Sequence, residues 1–156
     1  MLAETPLIEE IRFYSHEGLC PIEVRRMALA KKLLEVEDET LIAEVERILR
    51  NLVTNALKYS APETDVEVTV VKEEDEAHFR VRDYGIGIPA EALPRLFEPF
   101  YRAGNVGAVY GTGLGLAIVR QAVERLGGRV VVQSKVGAGT VFHVWLPVGS
   151  EEKGEG

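Results

Sequence analysis

The longest regular pattern in the chain lies between Glu39 and Tyr59. There Leu41, Ile42, Val45, Ile48, Leu49, Leu52, Val53, Ala56 and Leu57 recur at three- and four-residue intervals, which predicts a long helix with one buried face. Asp38 or Thr40 is placed to cap it. After the turn signal Ser60-Ala61-Pro62-Glu63, the period changes to two: Val66, Val68 and Val70 alternate with polar residues, and so do Ala77, Phe79 and Val81. This predicts two half-buried antiparallel strands joined by a charged turn around Glu73 to Glu76. A helix is expected from Leu114 to Leu126, with Leu116, Val119, Val123 and Leu126 on one face and Gly127-Gly128 as its stop. Strands from Arg129 to Lys135 and Gly139 to Leu146 follow, joined across Gly137 and Gly139. At the start of the chain the pattern predicts a helix from about Pro6 to Ser15, a strand near Ile22 to Ala28 and a short one near Leu33 to Glu37. The polar residues after Gly149 read as a disordered tail.

This order suggests a mixed sheet with three helices packed on one face, a two-layer α/β sandwich. From Pro89 to Tyr110 the only helical signal is a short piece, Glu91 to Phe97, followed by Gly104, Gly107 and Gly111. So long a glycine-punctuated loop in a compact domain reads as a lid or a binding loop. A length of 156 residues leaves room for one domain, assigned to residues 1–149 with a tail over 150–156. The net charge of -7 argues against nucleic acid as a partner. Lone Cys20 excludes an internal disulfide and favours a reducing compartment, so the expected location is cytoplasmic. No apolar run is long enough to span a bilayer, and no direct membrane insertion is expected of this domain.

The candidate chemistry falls at three places. Asp83 continues the inward phase of Ala77, Phe79 and Val81, which places a carboxylate on the buried face, where it needs donors. Gly85 and Gly87 follow at once and allow a sharp turn and the close approach of a flat ligand, although a capped turn aspartate would look the same. On the long helix, Asn51, Asn55 and Lys58 form a polar stripe, with Tyr59 beside it. Amide oxygens suit Mg²⁺ and an ammonium suits phosphate, but such a stripe alone is equally a helix's wet edge. Finally, Gly111-Thr112-Gly113-Leu114-Gly115-Leu116 runs into a helix, where backbone N–H groups offer a phosphate site unless the glycines serve only tight packing. Other phosphate motifs fail. Gly85-Ile-Gly87-Ile-Pro-Ala90 lacks the βαβ context and downstream acid of a dinucleotide fingerprint, and Gly111 is not followed by the lysine and hydroxyl of a P-loop.

Taken together, Asn51-Leu-Val-Thr-Asn55-Ala-Leu-Lys58-Tyr59, Asp83-Tyr-Gly85-Ile-Gly87-Ile, Leu96-Phe97-Glu-Pro-Phe100-Tyr-Arg102 and Gly111-Thr-Gly-Leu-Gly115-Leu resemble, in order, the N, G1, F and G2 boxes of sensor histidine kinases. The resemblance implies the ATP-binding fold shared with gyrase, the chaperone ATPases and MutL, with ATP and Mg²⁺ as ligands. By resemblance Asp83 accepts from the adenine amino group, with Gly85, Gly87 and Ile88 lining the slot and Thr140 in reach. Asn55 would ligate the metal, Lys58 and Arg102 would neutralise phosphate charge, and Tyr59 would lie along the nucleotide. Phe97 and Phe100 would anchor the lid, whose backbone from Gly111 and Thr112 through Gly113, Leu114, Gly115 and Leu116 holds phosphate. Pro99 stands where the F box commonly has arginine.

Three functions share that fold: machine-driving ATP hydrolysis, serine phosphorylation in the anti-sigma manner, and histidine phosphorylation. Asn51 discriminates, since relatives that activate water or a serine hydroxyl resemble one another in carrying a glutamate base there, whereas imidazole attacks with a bare lone pair. Lys58, Arg102 and Asn51 are thus the expected catalytic set. A degenerate module that binds nucleotide or a partner without turnover is the non-enzymatic alternative. The implied partners are a histidine-bearing dimerisation domain of the same parent and the receiver domain of a response regulator. Ser15-His16-Glu17 with Pro21 resembles part of a phosphoacceptor box, but Gly18-Leu19-Cys20 break the match, and the segment up to Asn51 is needed for the sheet. His78 and His143 alternate outward and read as surface residues.

Overall fold

The computed structural model describes residues 7–14 and 73 as backbone, and residues 39–60, 64–72, 75–101 and 114–148 in full. The strand readings near Ile22 and Leu33, His16, Cys20, the stretch from Arg102 to Gly113 and the tail lie outside the described residues. The elements are β1 (Leu7–Tyr14), α1 (Glu39–Tyr59), β2 (Asp65–Glu73), β3 (Glu76–Asp83), a 3-10 helix (Ala90–Arg95), α2 (Gly115–Arg125), β4 (Arg129–Lys135) and β5 (Gly139–Pro147). Strand order is β1-β2-β3-β5-β4. Every pairing is antiparallel, so the mixed sheet expected from the element order has no parallel pair among the described residues.

The expected helix over Pro6 to Ser15 is a strand. Leu7–Tyr14 pairs along its whole length with β2, from Leu7 opposite Lys72 to Tyr14 opposite Asp65. Leu7, Ile8 and Ile11 imitate a helical spacing, but the open edge of β2 supplies a ladder partner for every residue, and this tertiary pairing overrides a weak local preference.

The rest follows the periodicities. In α1 the residues with buried side chains are Ile42, Val45, Ile48, Leu49, Leu52, Val53 and Ala56, one face of a helix. They meet the inward phases of the strands: Val66, Val68 and Val70 of β2, Ala77, Phe79 and Val81 of β3, and Phe142, Val144 and Leu146 of β5. Val119, Ala122 and Val123 bring α2 into the same core, and Ala92 and Leu96 bury the 3-10 segment. Phe79, 1% exposed, is among the largest fully buried side chains, and its truncation to alanine would cost about 3 to 5 kcal/mol. The two α-helices are tied at the surface, where one Arg125 nitrogen, Nη2, lies 3.1 Å from both carboxylate oxygens of Glu44. All helical elements among the described residues therefore cover one face of the sheet, and the two-layer α/β sandwich is the observed architecture.

On the other face, His78 and His143 point outward as the alternation requires, yet they are half-buried in a stack. Their rings are hydrogen-bonded between Nε2 and Nδ1 at 2.9 Å, and His78 lies 4.5 Å from the Trp145 ring. Arg129 covers Trp145 from the edge strand at 4.3 Å. They are thus not ordinary surface side chains.

Candidate functional site

The inward alternation of β3 carries Asp83 to the end of the strand, where it is 5% exposed and directly opposite Thr140 of β5. Residues directly opposite in an antiparallel pair share a face, so the carboxylate and the hydroxyl, also 5% exposed, sit side by side. Two backbone N–H groups donate to the carboxylate, that of Gly85 at 2.9 Å and that of Thr140. Burial nonetheless dominates and raises its pKa from 3.8 to about 6, the donors offsetting only part of the loss of water.

The turn after Asp83 is pressed against the end of α1. A β-carbon on Gly85 would overlap the carbonyl oxygen of Tyr59 and lie 3.0 Å from the Ser60 Cα. The N–H of Ile86 donates to that Tyr59 carbonyl at 3.3 Å. The Ser60 hydroxyl oxygen is buried there and has no hydrogen-bond partner among the described residues. Gly87 has φ +77 and would drive a β-carbon into the carbonyl of Lys135, so the chain passes under the β4–β5 turn only because both demands fall on a glycine. Beyond it the N–H of Ile88 donates to the hydroxyl of Ser134 at 2.7 Å. Ser134 was not singled out by the sequence reading. The available signal was its place on the inward phase of β4 with Val130 and Val132, where a hydroxyl is out of character.

Helix α1 brings its polar stripe to the same end of the sandwich. Asn51 and Asn55 are half-buried, Tyr59 is half-buried, and Lys58 is exposed in the last turn. Asn51 donates through Nδ2 to the carbonyl of Arg47 at 2.9 Å. Its amide oxygen faces the start of α2, where a β-carbon on Gly115 would be 3.2 Å away. The structure thus joins Asn51 to Gly115, which the sequence had placed in different motifs. Leu114 precedes the first turn of α2, and no side chain caps it; Leu116 is half-buried against the core. Arg102, Gly111, Thr112 and Gly113 lie outside the described residues.

The two phenylalanines expected to anchor the loop differ. Phe97 packs edge-on against Phe142 with ring centroids 6.2 Å apart. Phe100 is 71% exposed with φ 67 and anchors nothing among the described residues; the turn after Pro99 sends its side chain outward. Ile88 lies half-buried against the core. No group of three or more His, Cys, Asp or Glu side chains able to hold a metal occurs among the described residues.

The site thus consists of a buried carboxylate and hydroxyl at the sheet's end, a glycine turn against a helix terminus and an amide stripe leading to a second helix start. The family described as "Histidine kinase-, DNA gyrase B-, and HSP90-like ATPase" matches residues 40–150. The chain is 43% identical over 105 residues to the circadian input-output histidine kinase CikA of Synechococcus elongatus, covering 66% of this chain and 14% of that protein. It is 35% identical over 130 residues to the sensor protein kinase WalK of Staphylococcus epidermidis, covering 78% of this chain and 21% of that one. The chain thus spans between 14% and 21% of the length of these two relatives. Among solved structures, the mycobacterial sensor histidine kinase MprB superposes with a TM-score of 0.66 at 26% identity, over 89% of this chain and 97% of that one. Full-length ShkA in complex with AMPPNP does so with a TM-score of 0.57 at 33% identity, over 68% of this chain and 22% of that one. No described helix is long and apolar enough to cross a membrane. The chain belongs to the family of histidine kinase-, DNA gyrase B- and HSP90-like ATPases, and its named relatives within it are sensor histidine kinases.

Proposed function

We propose that this chain is the ATP-binding catalytic domain of a sensor histidine kinase. It transfers the γ-phosphate of ATP to a histidine on a separate dimerisation hairpin of the same parent, from which a receiver domain takes it in two-component signalling. The observation that carries the reading is the buried Asp83 carboxylate: beside Thr140 and held by Gly85, it stays costly to bury even with two backbone donors, and a further donor such as an exocyclic amino group would offset that cost. That ShkA was solved with AMPPNP supports a nucleotide on the same fold.

In this reading Gly87 and Ile88 line one wall of the base slot, and Tyr59 lies along the nucleotide. Lys58 and Arg102 neutralise the phosphates, and the backbone from Gly111 to Leu116 cradles them. The half-buried amide oxygen of Asn55 suits a hard cation that keeps waters and phosphate oxygens as its other ligands. Mg²⁺ bound there would neutralise charge developing on the leaving oxygen. In the transfer a nitrogen–phosphorus bond forms as the bond from the γ-phosphorus to the bridging oxygen breaks, and ADP leaves. The attacking imidazole nitrogen carries a lone pair and no proton, so no base is required. Asn51, hydrogen-bonded to Arg47 and facing Gly115, supplies none and orients its neighbours instead. The cytoplasm is the compartment that supplies ATP, and residues 1–149 form the domain.

Calorimetry with ADP tests the assignment. Asp83→Ala removes a charge-assisted hydrogen bond and should weaken binding by about tenfold to somewhat over a hundredfold. Unchanged affinity would reject the adenine assignment.

A further inference from the structure

The Ser134 hydroxyl has three hydrogen-bonding neighbours among the described residues. It lies 3.0 Å from the carbonyl of Gly139, 2.7 Å from the N–H of Ile88 and 2.8 Å from the hydroxyl of Thr140. A serine hydroxyl has one proton and two lone pairs. The Gly139 carbonyl can only accept, so Ser134 spends its proton there. The Ile88 N–H can only donate, and it takes one lone pair. The other is left for Thr140, whose hydroxyl must donate to Ser134. With that proton committed, Thr140 turns only lone pairs towards the space it shares with Asp83, its partner in the strand register.

We propose that Ser134 sets the purine specificity of the site by fixing the Thr140 hydroxyl as an acceptor, which makes the floor beside Asp83 accept from an amino group and reject a carbonyl. The inference rests on the nucleotide reading above. It goes beyond it by assigning adenine over hypoxanthine or guanine to a residue that acts through another. Ser134 is a positioning residue: its N–H partner, Ile88, lines the slot, and its hydroxyl partner, Thr140, faces the base. Without Ser134 the Thr140 proton is free to turn towards a purine carbonyl.

The test is the ratio of ADP to IDP affinity, measured by calorimetry on wild type, Ser134→Ala, Ser134→Thr and Thr140→Val, with near-UV circular dichroism to confirm folding. Wild type should prefer ADP. Ser134→Ala should narrow the preference by about two- to tenfold, the range of one neutral hydrogen bond. Ser134→Thr, which keeps the hydroxyl, should restore it, whereas simple loosening of the turn would weaken both ligands and leave the ratio unchanged. If Ser134→Ala does not fold, Thr140→Val tests the acceptor that Ser134 fixes: it removes the hydroxyl and should narrow the preference by weakening ADP rather than by strengthening IDP. In folded variants, an unchanged ratio in Ser134→Ala, or in Thr140→Val where it stands in, overturns the specificity role while leaving nucleotide binding intact. A wild-type chain that binds neither ligand overturns the nucleotide reading and this inference with it.

Discussion

Gly85, in the turn after β3, lies so close to Tyr59, the last residue of α1, that any β-carbon on it would overlap the tyrosine carbonyl oxygen, and the next N–H, from Ile86, donates to that carbonyl at 3.3 Å. The end of α1 and the end of β3 are thereby fixed to one another, and with them the amide stripe and Asp83. Gly85→Ala should destabilise the fold by at least the about 1 to 3 kcal/mol usual for overpacking, because the obstructing atom is backbone. Denaturant unfolding of the variant checks this; wild-type stability would mean that the two elements yield more readily than the close approach implies.

Asp83 makes the ligand-free domain pH-sensitive in a direction opposite to most paired carboxylates. Its folded pKa is raised, from 3.8 to about 6, so the native state holds the proton more tightly than the unfolded chain. The stability it contributes is full below about pH 3.8 and is lost as pH rises through about 6, a gap of about two pH units or roughly 3 kcal/mol. Asp83→Asn should remove this slope, as measured by denaturant melts across pH 4 to pH 7.

Binding should show the complementary behaviour. A ligand amino group needs the ionised carboxylate, so ADP affinity should rise with pH up to a plateau just above about 6 and be flat in Asp83→Asn. Proton release on binding at pH 5, read by calorimetry in two buffers, checks the sign.

His143 should act with the reverse slope. Burial first, and the Arg80 guanidinium second, lower its pKa from 6.5, so the native state resists its protonation. The stability it contributes is present above about pH 6.5 and is lost as pH falls through the folded value. His143→Phe, which keeps a ring beside Trp145, should flatten this part of the profile without changing ADP affinity.

The metal assignment predicts a split. Asn55→Ala should abolish Mg²⁺-dependent phosphotransfer while weakening ADP binding in EDTA much less. Asn51→Glu should raise the ATP hydrolysis rate, since it places a proton acceptor where the native residue has an amide.

Most of the sandwich is legible because its two periods are clean. The α1 stripe from Leu41 to Leu57 and the alternation that turns Asp83 and Thr140 inward need no tertiary information. β1 is not legible in this way: Leu7, Ile8 and Ile11 satisfy a helical spacing, and only the presence of an open β2 edge decides otherwise. Ser134 was hidden for a different reason. A serine at the end of a valine strand is unremarkable until its three partners, distant by up to 46 positions, are brought around it.

The central claim is phosphotransfer to a histidine outside this chain. It is tested by incubating the domain with γ-labelled ATP and Mg²⁺, with and without a helical hairpin bearing a histidine-kinase acceptor site. Label should enter the hairpin as acid-labile phosphate and should be absent from the domain alone, because in-line attack depends on an acceptor held at the γ-phosphorus. Acid-labile label on His16 in the domain alone would contradict the account, as would release of free phosphate at many turnovers per second with no label on the hairpin.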